Sequence, residues 1–263
     1  MSDSIPAMEI RPTARRPHLP VMLLTELKLM LREPFAVIFP IALPLALLLV
    51  LGGSIEDFRE PLPELGGERL IDTQFPAMMT MLSVTTSAVT ILPAVLVAYR
   101  ENGVLRRMST TPVPPARLLG VHLILNLAMA IAATALLIIF GRFVLGVAVP
   151  ARFAGFTLTF LLGTAAMLAL GLLVAVLAPT ARSAPGIGSM VVFPLLFTGG
   201  MWVPRETMPD VLREISDFTV TGAMGQALRE TWHGSASSPR ALLVMVLWLA
   251  VMSVLAVRLF RWE

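Results

Sequence analysis

The sequence predicts an all-α membrane protein of six transmembrane helices. An interfacial amphipathic helix precedes the first span, and re-entrant helices precede the last. Three observations carry this. The 263-residue chain is 56% hydrophobic, with a mean hydropathy of +0.82, whereas soluble domains stay at or below about half apolar. Only 14% of residues are charged, well under the usual quarter. Those charges fall between apolar runs long enough to cross the hydrocarbon, which takes ~20 helical residues.

Residues 1–18 are polar and rich in Pro and Arg, which predicts a mobile cytoplasmic tail. Arg15-Arg16 does not open a signal peptide, because Glu26, Lys28, Arg32 and Glu33 break up the apolar residues after it. Residues 19–31 place Leu23, Leu24, Leu27, Met30 and Leu31 on one face, with Thr25, Glu26, Lys28 and Arg32 opposite. Such a helix lies in the membrane interface. Spans are expected at about 34–51, 75–98, 118–140, 153–178, 186–200 and 242–259. Pro40 and Pro44 fall within the first and are expected to bend it. An acidic loop separates the first two. In the fourth, Gly155, Thr159 and Gly163 recur every four residues, a small-residue face for close helix packing. The fifth is short, contains Pro194 and ends at Gly199-Gly200. Two helical stretches come next, 208–215 and 222–232, and are expected to dip part-way back. Residues 19–263 thus form a single transmembrane domain.

Lys and Arg set the sidedness. Twelve lie on the side of the termini and of the loop after span two, against eight on the other. Both termini are therefore expected in the cytoplasm, with the chain in the plasma membrane.

Several chemistries are excluded. Lys28, the single lysine, is followed by Leu29, so no phosphate loop of the G-x-x-x-x-G-K-[ST] type is present. Gly186-Ile187-Gly188 lacks the third glycine and the strand of a dinucleotide site. The chain has no Cys, and its three His are far apart, so no metal site is expected. His122 is expected to be a buried, hydrogen-bonded residue rather than a catalyst. The net charge of +3 sits in loops without interleaved aromatics, which does not indicate nucleic acid. The spans carry no Asp or Glu, disfavouring an ion-driven carrier. Thr80, Ser83, Ser87 and Thr90 form a hydroxyl stripe on the second span. It is the candidate substrate path, although hydroxyls bonded back to their own helix are the favoured reading.

The loop after span two reads Arg100-Glu101-Asn102-Gly103-Val104-Leu105-Arg106-Arg107-Met108, then Thr111-Pro112-Val113 and Leu118-Leu119-Gly120. Val104, Leu105 and Met108 share one face of a helical turn, and Pro112, Pro114 and Pro115 end it. This segment resembles the cytoplasmic coupling segment of type-2 ATP-binding-cassette transporter permeases. Val104 stands where that family usually has Thr, and Tyr99 where many members have a charge. Gly199-Gly200-Met201-Trp202-Val203-Pro204, followed by Met208-Pro209, resembles the family's re-entrant region. Leu31-Arg32-Glu33-Pro34 resembles the end of its interfacial helix.

The resemblance implies an exporter subunit for drug-like, antibiotic or lipid-like compounds. Two such chains, in a homo- or heterodimer, would form the path. Separate ATPase subunits would bind ATP and Mg, leaving this chain without cofactor or enzymatic activity of its own. Coupling would fall to Glu101, Gly103, Val104, Leu105, Arg106, Met108, Thr111 and Pro112. Gly199, Gly200, Pro204 and Pro209 would shape the re-entrant region. The alternative is a non-transporting membrane scaffold or accessory subunit.

Overall fold

A computed structural model describes residues 19–62, 67–104, 107, 115–203 and 205–259. The tail 1–18 lies outside them, as do Leu105, Arg106, Met108, Thr111, Pro112 and Pro204. The described chain is helical apart from short turns and one antiparallel pairing, β1 (Pro61–Leu62) with β2 (Glu68–Arg69).

The principal helices among the described residues are α1 (Leu19–Leu31), α2 (Pro34–Ser54), α3 (Gln74–Glu101), α4 (Pro115–Leu145), α5 (Phe153–Leu177), α6 (Ala184–Thr198), α7 (Asp210–Phe218), α8 (Val220–Trp232) and α9 (Pro239–Leu259). α1 has the bounds read from sequence for the amphipathic helix. Among the described residues, five helices are long and apolar enough to cross a membrane: α2, α3, α4, α5 and α9. α6 is apolar but has only 15 residues.

Burial explains the arrangement. α3 and α5 form the centre, while α2 and α9 keep most of their apolar surface outward, as hydrocarbon contact allows. α8 is buried nearly all round, the signature of a core helix. It packs on the small-residue face of α5. A Cβ at Gly155 would lie 3.0 Å from Thr231, and one at Gly163 would lie 2.7 Å from Met224. Thr159 Oγ1 meets Ser237 Oγ at 2.9 Å.

Within α3, residues Ser87–Ile91 form a π turn. The Leu92 N–H bonds the Ser87 carbonyl, five residues back. Pro93 supplies the cause: it has no N–H and its ring clashes with the carbonyl four residues earlier, and a widened turn relieves this. Two glycines accept the result. A Cβ at Gly171 of α5 would collide with the Ala88 carbonyl, and one at Gly188 of α6 with the Val89 carbonyl.

α6 ends in a glycine cap. Gly200 has φ +83°. Its N–H bonds the Phe197 carbonyl at 3.1 Å, and the Met201 N–H bonds Leu196 at 3.1 Å, the paired bonds of a Schellman motif. Pro209 then precedes α7 as its N-cap residue. The first helical stretch expected there, 208–215, is this α7, a well-segregated helix with Val211, Ile215 and Phe218 exposed along one face. Thr219 Oγ1 accepts from the Gly222 N–H at 3.0 Å and starts α8.

Candidate functional site

Two clusters define opposite ends of the bundle. At one, the Asp72 carboxylate accepts from the Ala148 N–H at 3.0 Å and from Arg69 at 2.5 Å. Trp232 Nε1 donates to the Ala148 carbonyl at 2.8 Å, and the Ala151 and Arg152 N–H groups bond the end of α8. Nearby along the chain, Asp217 accepts from Arg205 at 2.5 Å and pairs with Arg240 at 3.3 Å. Arg240 also stacks over Phe218, 4.8 Å from the ring centre.

The other end carries the segment singled out in the sequence, and its root is held on two sides. Tyr99 Oη donates to Glu26 Oε2 of α1 at 2.7 Å. The Arg100 guanidinium donates to the carbonyls of Ala175, Ala178 and Pro179. These belong to the last turn of α5 and the residues after it, where carbonyls lack helical partners. Glu101 and Asn102 are exposed beyond this clamp. Gly103 then turns with φ +66°, a left-handed conformation that suits glycine. Val104 is half-buried, and the Arg107 N–H bonds the Gly103 carbonyl at 3.0 Å. Of the expected coupling residues, Glu101, Gly103 and Val104 are therefore placed, at the tip of a clamped helix.

Behind the clamp lies His122 of α4. Its ring meets Tyr99 edge-on, with centroids 5.2 Å apart, and Nε2 is 3.5 Å from Glu26 Oε2. The residue is buried, but Nε2 makes no hydrogen bond, so the expected bonded histidine is only half realised. Asn126, one turn on, donates to the His122 carbonyl at 2.9 Å. Sequence reasoning missed this Glu26–Tyr99–His122 group. Its one signal was the position of Tyr99, the single tyrosine, at a span end, where Tyr favours the membrane interface.

The hydroxyl stripe is buried at Thr80, Ser83 and Ser87 and half-buried at Thr90. Thr80 donates to the Pro76 carbonyl at 2.9 Å and Ser87 to Val84 at 3.3 Å, both on their own helix. Ser83 departs from the favoured reading: it donates across to the Pro40 carbonyl of α2 at 2.7 Å. Gly199 and Gly200 are buried, and a Cβ at Gly199 would lie 2.5 Å from Met81 of α3. Thr198 Oγ1 meets Thr221 Oγ1 at 3.2 Å, so the end of α6 is joined to the start of α8.

A helical bundle with five described helices long and apolar enough to cross a membrane, and a clamped polar segment at one end, defines a multi-pass membrane protein. The family model described as "ABC-2 type transporter" matches residues 18–233, and the chain belongs to that family. It is 23% identical over 234 residues to the "Putative transport permease YvfS" of Bacillus subtilis (strain 168), covering 89% of this chain and 93% of that protein. No solved structure matches. The chain is thus a membrane permease of an ATP-binding-cassette transporter.

Proposed function

We propose that this permease is one half of an exporter, paired with a second permease chain and driven by separate ATPase subunits docked on residues 101–112. One observation carries the coupling: the root of that segment is tied to α1 through Tyr99 and to the end of α5 through Arg100. A displacement of the segment is therefore delivered to three helices together. Lys28 lies in α1 outside any phosphate loop, which supports ATP and Mg binding by the partner alone. The substrate class is an amphipathic drug-like, antibiotic or lipid-like compound. The single Tyr and four Trp offer few rings for sugar stacking.

Six crossings, with both termini in the cytoplasm of a plasma-membrane protein, fit the Lys and Arg distribution. α6 is the sixth. Its 15 residues extend about 22 Å, about 8 Å short of the hydrocarbon thickness. α8 starts at the end of α6 and finishes beside the 148–152 backbone, which supports a re-entrant pair filling the missing depth. Such irregular backbone is tolerated where protein shelters it, and α8 is sheltered.

The test is Leu105→Asp. Losing a central apolar contact costs ~2 kcal/mol or more, about thirtyfold in affinity. The variant should insert normally, fail to co-purify the ATPase and lose export. Normal export with wild-type ATPase stoichiometry would refute the coupling role.

A further inference from the structure

We propose that the cavity between α1, α3 and α4 binds the protonated primary amine of an amphiphile. This goes beyond the exporter reading, because the site lies wholly within one chain.

The cavity has a volume of about 170 Å³. Its polar wall consists of Glu26, Glu33, Tyr99, His122 and Asn126, and among the described residues no Arg or Lys lines it. Two polar atoms on this wall are buried without a hydrogen bond: Asn126 Oδ1, and His122 Nε2, which faces the Glu26 carboxylate at 3.5 Å. Their residues are 5% and 6% exposed. A buried acceptor without a donor is costly, so Asn126 Oδ1 needs a hydrogen from something else. The Asn126 amide cannot be turned to avoid this, because Nδ2 already donates to the His122 carbonyl at 2.9 Å.

The remaining groups also accept. Glu26 takes one hydrogen bond from Tyr99, and a carboxylate has capacity for several. Three acceptor groups, Glu26, Glu33 and Asn126, therefore share one cavity. A primary ammonium offers three N–H donors and a positive charge. A quaternary ammonium offers no donor, an alcohol offers no charge, and an anion would meet two carboxylates.

Size and shape agree. A cavity of ~150 Å³ holds a molecule such as benzene, so this one takes the ammonium and its first few carbons. Ile91, Val95 and Met129 supply an apolar wall for them. Leu29, 43% exposed, stands at the rim, where a longer chain leaves. The amine could come from a free cationic amphiphile or from a phosphatidylethanolamine headgroup.

The test uses the full chain in phosphatidylcholine nanodiscs, without an ATPase. Radiolabelled decylamine should bind saturably, one per chain, and at least tenfold more tightly than decanol or decyltrimethylammonium. It should raise the melting temperature of the wild-type chain where decanol does not, a reading that needs no variant. Glu26→Gln and Asn126→Leu should each weaken binding at least tenfold. Adding phosphatidylethanolamine assigns the source: displacement of decylamine identifies the lipid headgroup, and undiminished binding identifies a free amine. Equal affinity for decylamine and decanol, or wild-type affinity in both variants, overturns the proposal. Leu105→Asp should leave decylamine binding intact, so a failure of coupling and a failure of this site are told apart.

Discussion

The hydroxyl of Ser83 donates to the carbonyl of Pro40 across the α2–α3 contact, at 2.7 Å. That carbonyl lacks its usual partner on its own helix. The residue four positions on is Pro44, which lacks an N–H. One proline thus creates an orphan acceptor in the interior, and a serine on the neighbouring span satisfies it.

Ser83→Ala should therefore destabilise the chain by about 1–3 kcal/mol, the usual cost of a buried group left unsatisfied. Ser87→Ala should cost less, because its hydroxyl bonds only a carbonyl one turn back. Thermal unfolding in detergent compares the two. Equal melting temperatures would show that the interhelical bond contributes nothing.

Gly171→Ala drives a Cβ into the Ala88 carbonyl at the π turn, and overpacking of this kind costs about 1–3 kcal/mol. Gly120→Ala is the contrast. Nothing lies within 4 Å of its added Cβ, and alanine gains up to ~1 kcal/mol of helix propensity there. The first variant should melt lower than wild type and the second no lower; the reverse order would refute the packing argument.

Arg100→Ala should insert and fold, yet lose most export, because its guanidinium fastens the segment proposed for coupling to the end of α5. Arg100→Lys should not restore it, since an ammonium lacks the planar fork that reaches several carbonyls. Export by the reconstituted complex is the readout. Wild-type rates from Arg100→Ala would remove the clamp from the mechanism.

Single cysteines can report topology directly, because the chain has none of its own. Glu60, Asn102 and Ala236 are exposed. An impermeant reagent applied to intact cells should label Cys at 60 and 236 but not at 102. Labelling at 102 alone would invert the orientation.

The long spans were legible because each is a contiguous apolar run, and α1 because its leucine-rich run is closed by Arg32-Glu33-Pro34, although Glu26 and Met30, read as opposite faces, line one cavity. α6 was legible as a short run ending at Gly199-Gly200, but not the packing of Gly199 against Met81. The hydroxyl stripe showed its spacing, yet nothing local revealed that Ser83 reaches Pro40, 43 residues earlier. The same limit hid Tyr99 from Glu26, 73 residues apart, and Arg100 from Ala178, 78 apart. Periodicity finds a helix face, but only the packed bundle shows what that face meets. Pro93 is the local sign of the π turn, but a proline alone does not tell a widened turn from a kink.

That widened turn also sets an angle. An extra residue in one turn advances everything after it by about 100° around the axis. Ser87–Ile91 lies between the buried first half of α3 and the stretch Leu92–Glu101. The direction in which Tyr99 and Arg100 point is thus fixed by a residue count ten positions upstream. Deleting one residue from Ser87–Ile91 would leave the span and both side chains in the sequence. It would nevertheless swing the tyrosine off Glu26 and the arginine off the end of α5 in a single rotation.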